Sequence, residues 1–494
     1  MSSTSRDEPL LNATVLRQIA ADDVLTPVRS SGRRRSLLRT PKALAHGSLW
    51  GSTFNMCSAI LGAGALSLPH AVAAMGLVPA LTLLLATAVA THYSVVLLIH
   101  CIDATGTQSF EDLTRQTFGR INGRMVELSI IVFQYGTLVA YTVAIGDILE
   151  PLAQLPAVAK AMPWLRREYI ITMFWAVIML PLSFVERISA LQFTSLFGVL
   201  ALLYLVTAVA IHFAADAAIA PQQTVGQVRY ATLSEGAVSA AAIIMFAFTC
   251  QVNVPSLYAA LADRSPRTMR AVSLRAVCLC LTCYLLVGLT GYLDFPSSKQ
   301  GNLLKNYCLL DPSITSASDA PPRVMTAAYV AITLTIVMAY PVNVFPTRYT
   351  IDVAFLAPRL GTAHACARHT VLTIAIATTT LLTALIVPDI SVVFALMGGS
   401  ASAYVCYVIP AAAAWKLRGS IPHVGGSYTG RIGCIALFLF GLIVGTLSTG
   451  STIASFFATP PTPPPNACNT TWDDTHGGDA LGLGDATPWP WVTG

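Results

Sequence analysis

The sequence predicts an all-α integral membrane protein with about eleven transmembrane helices. Two observations lead to this prediction. The 494 residues are 54% hydrophobic and only 11% charged, whereas a soluble domain carries roughly 25% charged residues. The chain also contains eleven apolar segments that are each long enough to cross the hydrocarbon core of a bilayer as a helix. Each segment must be helical, because lipid offers the backbone no hydrogen-bond partners.

We number the predicted spans 1 to 11 along the chain. They cover residues 48–72, 77–102, 124–149, 169–186, 188–214, 234–260, 271–295, 323–347, 369–388, 390–415 and 430–457. Residues 48–457 therefore form one predicted transmembrane domain. Residues 1–47 are predicted to be a largely disordered, basic cytosolic tail, and residues 458–494 a Pro-rich, acidic tail on the non-cytosolic side.

The distribution of Lys and Arg predicts the orientation. With the amino terminus in the cytosol, 22 of the 29 basic residues fall on the cytosolic side, as the positive-inside rule requires. An odd number of spans places the carboxyl terminus on the other side, where Asn469 begins a glycosylation sequon. The basic run at residues 33–35 is interpreted as the cytosolic flank of span 1 rather than as a nucleic-acid-binding arm.

Two spans contain residues that interrupt a helix, and they do so at corresponding positions. In span 1 the interruption is Gly62-Ala63-Gly64, and in span 6 it is the polar run that precedes Pro255. Because spans 1 and 6 lie five apart, we expect spans 1–5 and 6–10 to form a five-plus-five inverted repeat, with an extra eleventh span. Paired broken helices of this kind indicate a binding site at the middle of the membrane.

The chemistry of the first break suits a zwitterion. An unwound Gly-Ala-Gly segment exposes backbone N–H groups at the positive end of a half-helix, where a carboxylate binds favourably. The carbonyl groups that end the preceding half-helix suit an ammonium group or a cation. An α-amino acid carries both charges, so one broken helix could hold the part that all amino acids share. The alternative is that Gly62 and Gly64 only allow close helix packing.

Six stretches follow one another along the chain in a family-specific order. They are FNMCSAILGAGALSLPHAVAAMG in span 1, residues 136–147 in span 3, FAFTCQVNVPSLY in span 6, GYLDF in span 7, PVNVFPTR in span 8 and residues 387–398 at the start of span 10. Together they resemble the amino acid/auxin permease family, in particular its neutral and vacuolar amino acid transporter branches. The resemblance extends from about Gly47 to Phe457, and it departs at Gln251, where the family usually has His.

The resemblance implies a secondary active transporter that moves amino acids by alternating access, with the substrate bound between spans 1 and 6. Transport would be coupled to H⁺ or Na⁺, without any other cofactor. The expected partners are the amino acid substrate and membrane lipids, with no nucleic acid and no obligate protein partner. Neutral amino acids are favoured, because no Asp or Glu is expected to face the pocket. The candidate substrate-binding residues are Asn55, Ser58, Gly62, Ala63, Gly64, Phe248, Thr249, Gln251 and Asn253.

The sequence leaves the coupling ion open. In sodium-coupled members of the family an Asn in span 1 and a Thr in span 8 help to coordinate the ion, and the corresponding positions here are Ser58 and Ala339. Ala339 offers only its backbone carbonyl, so we expect proton coupling, with a backbone-rich sodium site as the alternative. His92 and Asn343 are further candidates, the first as a proton relay and the second as a cavity-lining residue.

Other classes of protein fit the sequence less well. It contains no catalytic motif or phosphate-binding loop and no metal-ligand spacing, so neither an enzyme nor a metal site is expected. No filter-like repeat or ring of charges indicates a channel. An amino acid sensor that binds its substrate and signals, or an uncoupled uniporter, stays open as an alternative. The acidic dileucine pattern at residues 7–11 adds a lysosomal or vacuolar membrane to the plasma membrane as a location.

Overall fold

The fold is described from a computed structural model, and all regular structure in the residues it describes is helical. Those residues are 47–153, 160–162, 165–184, 192–219, 228–232, 235–296, 300–307, 322–356, 365–387 and 389–458. The dileucine pattern of the first tail and the sequon of the last tail lie outside them. For the described residues, the prediction of an all-α protein is confirmed.

Within these residues, nine segments are long and apolar enough to cross a membrane: eight unbroken helices and the segment Gly236–Ala259 of span 6. The bent pair of helices in span 1 makes ten. The unbroken spans are Leu77–Thr105 (span 2), Arg120–Ala153 (span 3), Gln192–Ile219 (span 5), Pro266–Asp294 (span 7), Pro322–Ile351 (span 8), Ala365–Ile386 (span 9), Ile390–Lys416 (span 10) and Tyr428–Ala458 (span 11). Length and composition therefore confirm a multi-pass membrane protein.

Span 4 is described over a shorter stretch than the others. Its helix runs from Arg167 to Leu182 and includes a π-helical turn at Trp175–Met179. The predicted span continues to residue 186, beyond the described residues. The structure thus provides ten candidate spans, and the number eleven stays a prediction.

Spans 1 and 6 are both broken helices, as the sequence predicts. The start of each span is hydrogen-bonded to the end of the other. Span 1 comprises half-helix 1a, Leu49–Ile60, and half-helix 1b, Leu68–Met75; span 6 comprises 6a, Glu235–Ala247, and 6b, Val254–Ala259. The Ala262 N–H, just after 6b, donates to the carbonyl of Gly47, just before 1a (3.1 Å). The Thr232 N–H, just before 6a, donates to the carbonyl of Met75, the last residue of 1b (2.9 Å). An inverted repeat would produce this exchange; the five-plus-five arrangement as a whole stays a prediction.

Local chemistry explains where span 1 begins and ends. Ser48 accepts a hydrogen bond from the Gly51 N–H (3.1 Å), which satisfies a donor that the first turn of 1a leaves unpaired. Gly76 ends 1b with φ +84°, and a Cβ built there would lie 2.7 Å from the Ala231 backbone. Only glycine fits this turn. We call the end of the bundle at Gly76 the Tyr307 end, after a residue that lies there, and the opposite end the Gly47 end.

Candidate functional site

The break in span 1 opens onto free space. The Leu61 N–H still donates to the Cys57 carbonyl (2.7 Å), but Gly62 is extended (φ −143°, ψ −164°) and a 3₁₀ turn begins at Ala63. Gly62 is exposed, and a Cβ built on it would meet nothing within 4 Å. The first N–H groups of the new helix have no acceptor within that helix. The Ala65 N–H donates to the Gly62 carbonyl (3.2 Å), and the open space lies beside Gly62 itself.

Gly64, only two positions further on, lies in a closed environment. A Cβ at Gly64 would lie 3.1 Å from Cα of Ala247 and 3.3 Å from its Cβ. Ala247 is the last residue of 6a, so the break of span 1 packs directly against the break of span 6. Close helix packing thus accounts for Gly64, but it does not account for Gly62.

The break in span 6 is buried and satisfied from within the protein. Its residues Phe248–Cys250 are all buried, and the helix resumes with a 3₁₀ turn at Gln251–Asn253. The fully buried Gln251 side chain folds back on the break, where its Oε1 accepts from the Cys250 N–H (3.0 Å). Its Nε2 donates to the Ser94 hydroxyl of span 2 (3.4 Å). Gln251 therefore caps the break and ties it to a neighbouring span.

One side chain of span 7 joins the two breaks. The Tyr284 hydroxyl lies 2.7 Å from the Ile60 carbonyl oxygen and 2.8 Å from the Ala247 carbonyl oxygen, which belong to the last residues of 1a and 6a. A hydroxyl has one hydrogen, so it donates to one carbonyl at a time. The Phe248 ring packs edge-on against the Tyr284 ring, with the centroids 5.1 Å apart. Sequence reasoning missed Tyr284; the available signal was a single tyrosine in the middle of an apolar span.

The remaining predicted substrate-binding residues lie in several environments. Asn55 and Asn253 are exposed, whereas Ser58 and Ala63 are half-buried. The buried Thr249 donates its hydroxyl to a carbonyl of its own helix (3.3 Å). Asn55 precedes the break by about two helical turns. The structure thus brings the Gly-Ala-Gly segment and the span 6 break together, and substrate contact stays a prediction for all nine residues.

The predicted ion-coupling residues are distributed over three spans. In span 8 the Asn343 side-chain amide donates to the Ala339 carbonyl (2.9 Å). In span 2, His92 Nδ1 lies 3.1 Å from the Ser273 hydroxyl of span 7. Ser58 lies in 1a. The one ligand atom that Ala339 could offer a sodium ion therefore already accepts a hydrogen bond, and the role of all four residues stays a prediction.

A short segment lies at the Tyr307 end of the bundle. We call this segment, Gln300–Tyr307, the cap segment. The Gly301 carbonyl accepts from the Ser67 hydroxyl of span 1 (2.6 Å), and the Gly301 N–H donates to the Asp389 carboxylate at the start of span 10 (3.2 Å). These two bonds fasten the segment to both spans.

A buried carboxylate in span 3 fastens the cap segment further. Asp147 is buried, and its oxygens lie 3.2 Å from an Arg167 nitrogen, 3.6 Å from Lys305 Nζ and 3.3 Å from the Asn302 amide. The two cations offset the cost of burying the negative charge. The cap segment thus connects spans 1, 3, 4 and 10 at this end of the bundle.

Two surface grooves lie away from the breaks. One of about 900 Å³ runs between spans 2 and 11 and is lined by residues such as Leu85, Val89 and Phe440. Another of about 480 Å³ lies between Phe118, Trp415 and span 11. Their mostly apolar linings suit lipid chains rather than a zwitterion.

Comparisons with known proteins fit this geometry. A family model described as transmembrane amino acid transporter protein matches residues 45–454. Vacuolar amino acid transporter 5 of Schizosaccharomyces pombe is 26% identical over 397 residues, which are 80% of this chain and 90% of that protein. Sodium-coupled neutral amino acid transporter 7 of Xenopus laevis is 27% identical over 441 residues, covering 85% and 93% of the two chains. Putative sodium-coupled neutral amino acid transporter 11 of Mus musculus is 24% identical over 417 residues, covering 84% and 85%.

Proposed function

Because the chain belongs to the transmembrane amino acid transporter family, we propose that it is a secondary active transporter that carries amino acids across a membrane by alternating access. The observation that supports this proposal most directly is the pairing of the two breaks. Gly62 opens onto free space, while Tyr284 holds the ends of 1a and 6a together beside it. Broken helices paired in this way provide charged-group binding sites in secondary transporters.

The break of span 1 supplies the site for the α-carboxylate. The new helix begins at Ala63, and in this proposal the N–H groups at its start, where the helix dipole is positive, bind the carboxylate. The ammonium group binds the carbonyls that end 1a and 6a. Each carbonyl oxygen has two lone pairs, so Ile60 and Ala247 can accept from the substrate as well as from Tyr284.

The side-chain selectivity of the site favours neutral amino acids. The two break segments, residues 61–64 and 248–253, contain no acidic and no basic residue. A cationic or anionic substrate side chain placed between them would lose its hydration without gaining a partner of opposite charge. Neutral side chains avoid this cost, which supports the expectation from the sequence.

We infer that protons rather than sodium ions drive transport. Ala339 has no side-chain oxygen, so it could offer a sodium ion only its backbone carbonyl, which also accepts from Asn343 (2.9 Å). His92, which faces the Ser273 hydroxyl, is the candidate proton carrier in this scheme. Sodium coupling is the alternative, since two of the similar proteins carry it in their names.

The Gly47 end is proposed to face the cytosol. Most of the described basic residues lie at that end, as the positive-inside rule expects. They include Arg115, Arg264, Arg275, Arg348, Arg368, Lys416 and Arg418. The cap segment then closes the non-cytosolic side, whether the protein resides in a lysosomal or vacuolar membrane or in the plasma membrane.

Uptake into proteoliposomes tests the proposal. Purified protein is reconstituted, and a panel of radiolabelled neutral, acidic and basic amino acids is offered under a proton gradient or a sodium gradient. We expect neutral amino acids to accumulate under the proton gradient. Gly62→Val is expected to abolish uptake because two methyl groups fill the space beside the N–H groups. Gly450→Val in span 11 is the matched control, since a Cβ at Gly450 also meets nothing within 4 Å.

Each other outcome favours a different function. Accumulation under the sodium gradient alone would replace the proton by sodium as the coupling ion. Equilibration without accumulation would indicate an uncoupled uniporter. Binding without any movement of substrate would contradict the transporter and favour a sensor.

A further inference from the structure

A second buried polar cluster lies at the Tyr307 end, away from the breaks. It consists of His212 and Asp216 on span 5 and Asp294 at the end of span 7, all of them more than nine-tenths buried. His212 Nδ1 lies 2.9 Å from an Asp294 carboxylate oxygen and 3.6 Å from an Asp216 carboxylate oxygen. The mechanism proposed above uses none of these three side chains.

The three donor atoms are close enough to share one ion. One ligand atom from each residue lies within 4.8 Å of the other two. Zinc bound to nitrogen and oxygen at about 2.1 Å in tetrahedral geometry needs ligand atoms that lie about 3.4 Å apart. The 2.9 Å and 3.6 Å separations from His212 lie on either side of that value, and the Asp216 and Asp294 oxygens lie within 4.8 Å of each other, so rotation of the carboxylates would bring the three atoms around one ion.

The charge of the donor set also matches a divalent cation. Two carboxylates and one neutral imidazole carry two negative charges. These charges balance M²⁺ and offset the free-energy cost of burying it in a low-dielectric environment. Imidazole nitrogen and carboxylate oxygen are both usual zinc ligands, and a water molecule can supply the fourth ligand.

Surrounding aromatic residues hold the imidazole and one carboxylate in place. The Tyr307 hydroxyl donates to the Asp294 oxygen that faces His212 (3.0 Å). The Tyr307 ring packs edge-on against the imidazole at 4.9 Å. Such outer-shell partners orient metal ligands and strengthen binding.

We propose that His212, Asp216 and Asp294 form a binding site for a divalent transition-metal ion of the zinc class. The ion would join span 5 to span 7, and through Tyr307 it would also join both spans to the cap segment. Because the cap segment is bonded to spans 1, 3 and 10, a bound ion would restrain these spans relative to spans 5 and 7 and inhibit transport. The inhibition rests on the proposed transport function, whereas the metal site itself does not.

Metal binding is measured on the purified full-length protein in detergent, after chelator treatment and desalting. Zn²⁺ titration calorimetry gives the stoichiometry, and Co²⁺ absorption in the visible range reports the coordination geometry. We expect one ion per chain. Asp216→Asn is the most informative variant, because it removes one ligand and leaves the His212–Asp294 hydrogen bond in place. It should weaken binding at least roughly tenfold, as should His212→Gln.

Controls separate a metal site from a loss of folding. His369→Gln on span 9 changes a histidine far along the chain and should bind the ion as the wild type does. Size-exclusion profiles and thermal midpoints of the metal-free variants must match the wild type for the comparison to count. At the same Zn²⁺ concentration, the thermal midpoint should rise equally for the wild type and His369→Gln and clearly less for Asp216→Asn.

Three results would overturn the proposal. The first is a wild type that binds no Zn²⁺ in calorimetry. The second is Asp216→Asn binding as tightly as His369→Gln. The third is a cluster whose stability responds to pH but not to Zn²⁺, which would make it a proton site. Uptake assays test the transport function separately from the metal site. If the protein binds Zn²⁺ but takes up no amino acid even when it is metal-free, the transporter proposal is contradicted and the metal site is not.

Discussion

The breaks of spans 1 and 6 occupy corresponding positions, yet the protein treats them differently. At span 1, Gly62 is exposed, and a Cβ built on it would meet nothing within 4 Å. At span 6 the residues are buried, and the Gln251 side chain supplies the acceptor that the Cys250 N–H lacks in the helix. One break opens onto free space, and the other is completed by the protein itself.

This difference assigns separate tasks to the two halves of the pair. The open break can bind the groups that all amino acids share, because its unsatisfied donors come from the backbone. The closed break positions side chains such as Phe248 next to that site and anchors span 6 to span 2 through Ser94. The Tyr284 hydroxyl lies within hydrogen-bonding distance of both half-helix ends, Ile60 of 1a and Ala247 of 6a.

The largest effect that sharpens this comparison is expected at Gly64. Valine there would place its Cβ 3.1 Å from the Ala247 backbone, so spans 1 and 6 must separate. Overpacking of this kind costs about 1–3 kcal/mol or more. We expect Gly64→Val to lower both the thermal midpoint and the uptake rate, while Gly62→Val lowers only the uptake rate. Equal thermal midpoints for the two variants would contradict the contrast between an open and a closed glycine.

The next largest effect is expected for Tyr284→Phe. The variant leaves the Ile60 and Ala247 carbonyls without the hydroxyl that bridges them, and a buried acceptor without a donor costs about 1–3 kcal/mol. Thermal unfolding in detergent should show this loss, and uptake should fall because the two breaks are no longer held together. Tyr428→Phe is the control, since Tyr428 is 79% exposed. If both variants unfold at the same temperature, the bridge does not stabilise the site.

The sequence predicts the breaks but not what satisfies them. Glycine and proline disfavour a continuous helix locally, so the positions of both interruptions can be read from neighbouring residues. The partners of Tyr284 cannot, because Ile60 lies 224 positions away. The same holds for the bond between Ser67 and Gly301, which are 234 positions apart. Such contacts depend on how the spans pack, and neither periodicity nor composition encodes that directly.

Gln251 illustrates the same limit for a residue that the sequence did identify. Its polarity and its position in the break predicted contact with substrate. The structure uses both ends of its amide on the protein itself, with Cys250 and Ser94 as partners. A polar side chain at a break can hydrogen-bond either to the protein or to a ligand. Which of these partners it takes depends on its rotamer, which the sequence does not specify.

A smaller effect is therefore expected for Gln251→Leu. The leucine removes the acceptor of the Cys250 N–H, which costs about 1 kcal/mol, and it should lower the thermal midpoint while the KM for neutral amino acids changes little. Thr379→Val on span 9 is the matched comparison, because the Thr379 hydroxyl donates to the Ala375 carbonyl of its own helix (2.8 Å) and lies outside the breaks. A large rise in KM with an unchanged midpoint would instead make Gln251 a substrate ligand.

The smallest effect is expected at the exposed edge of the second break. Asn253 ends the 3₁₀ turn and is exposed, so Asn253→Ala removes no buried contact. The free energy of unfolding should stay within about 0.5 kcal/mol of the wild-type value. If its amide contacts the side chain of the substrate, the KM should rise a few-fold, on the order of 1 kcal/mol, for polar amino acids but not for apolar ones. Comparison of glutamine with leucine uptake measures this difference. If Asn253→Ala changes the KM for glutamine and the KM for leucine by the same factor, Asn253 does not contact the substrate side chain, and selectivity is left to the buried Phe248.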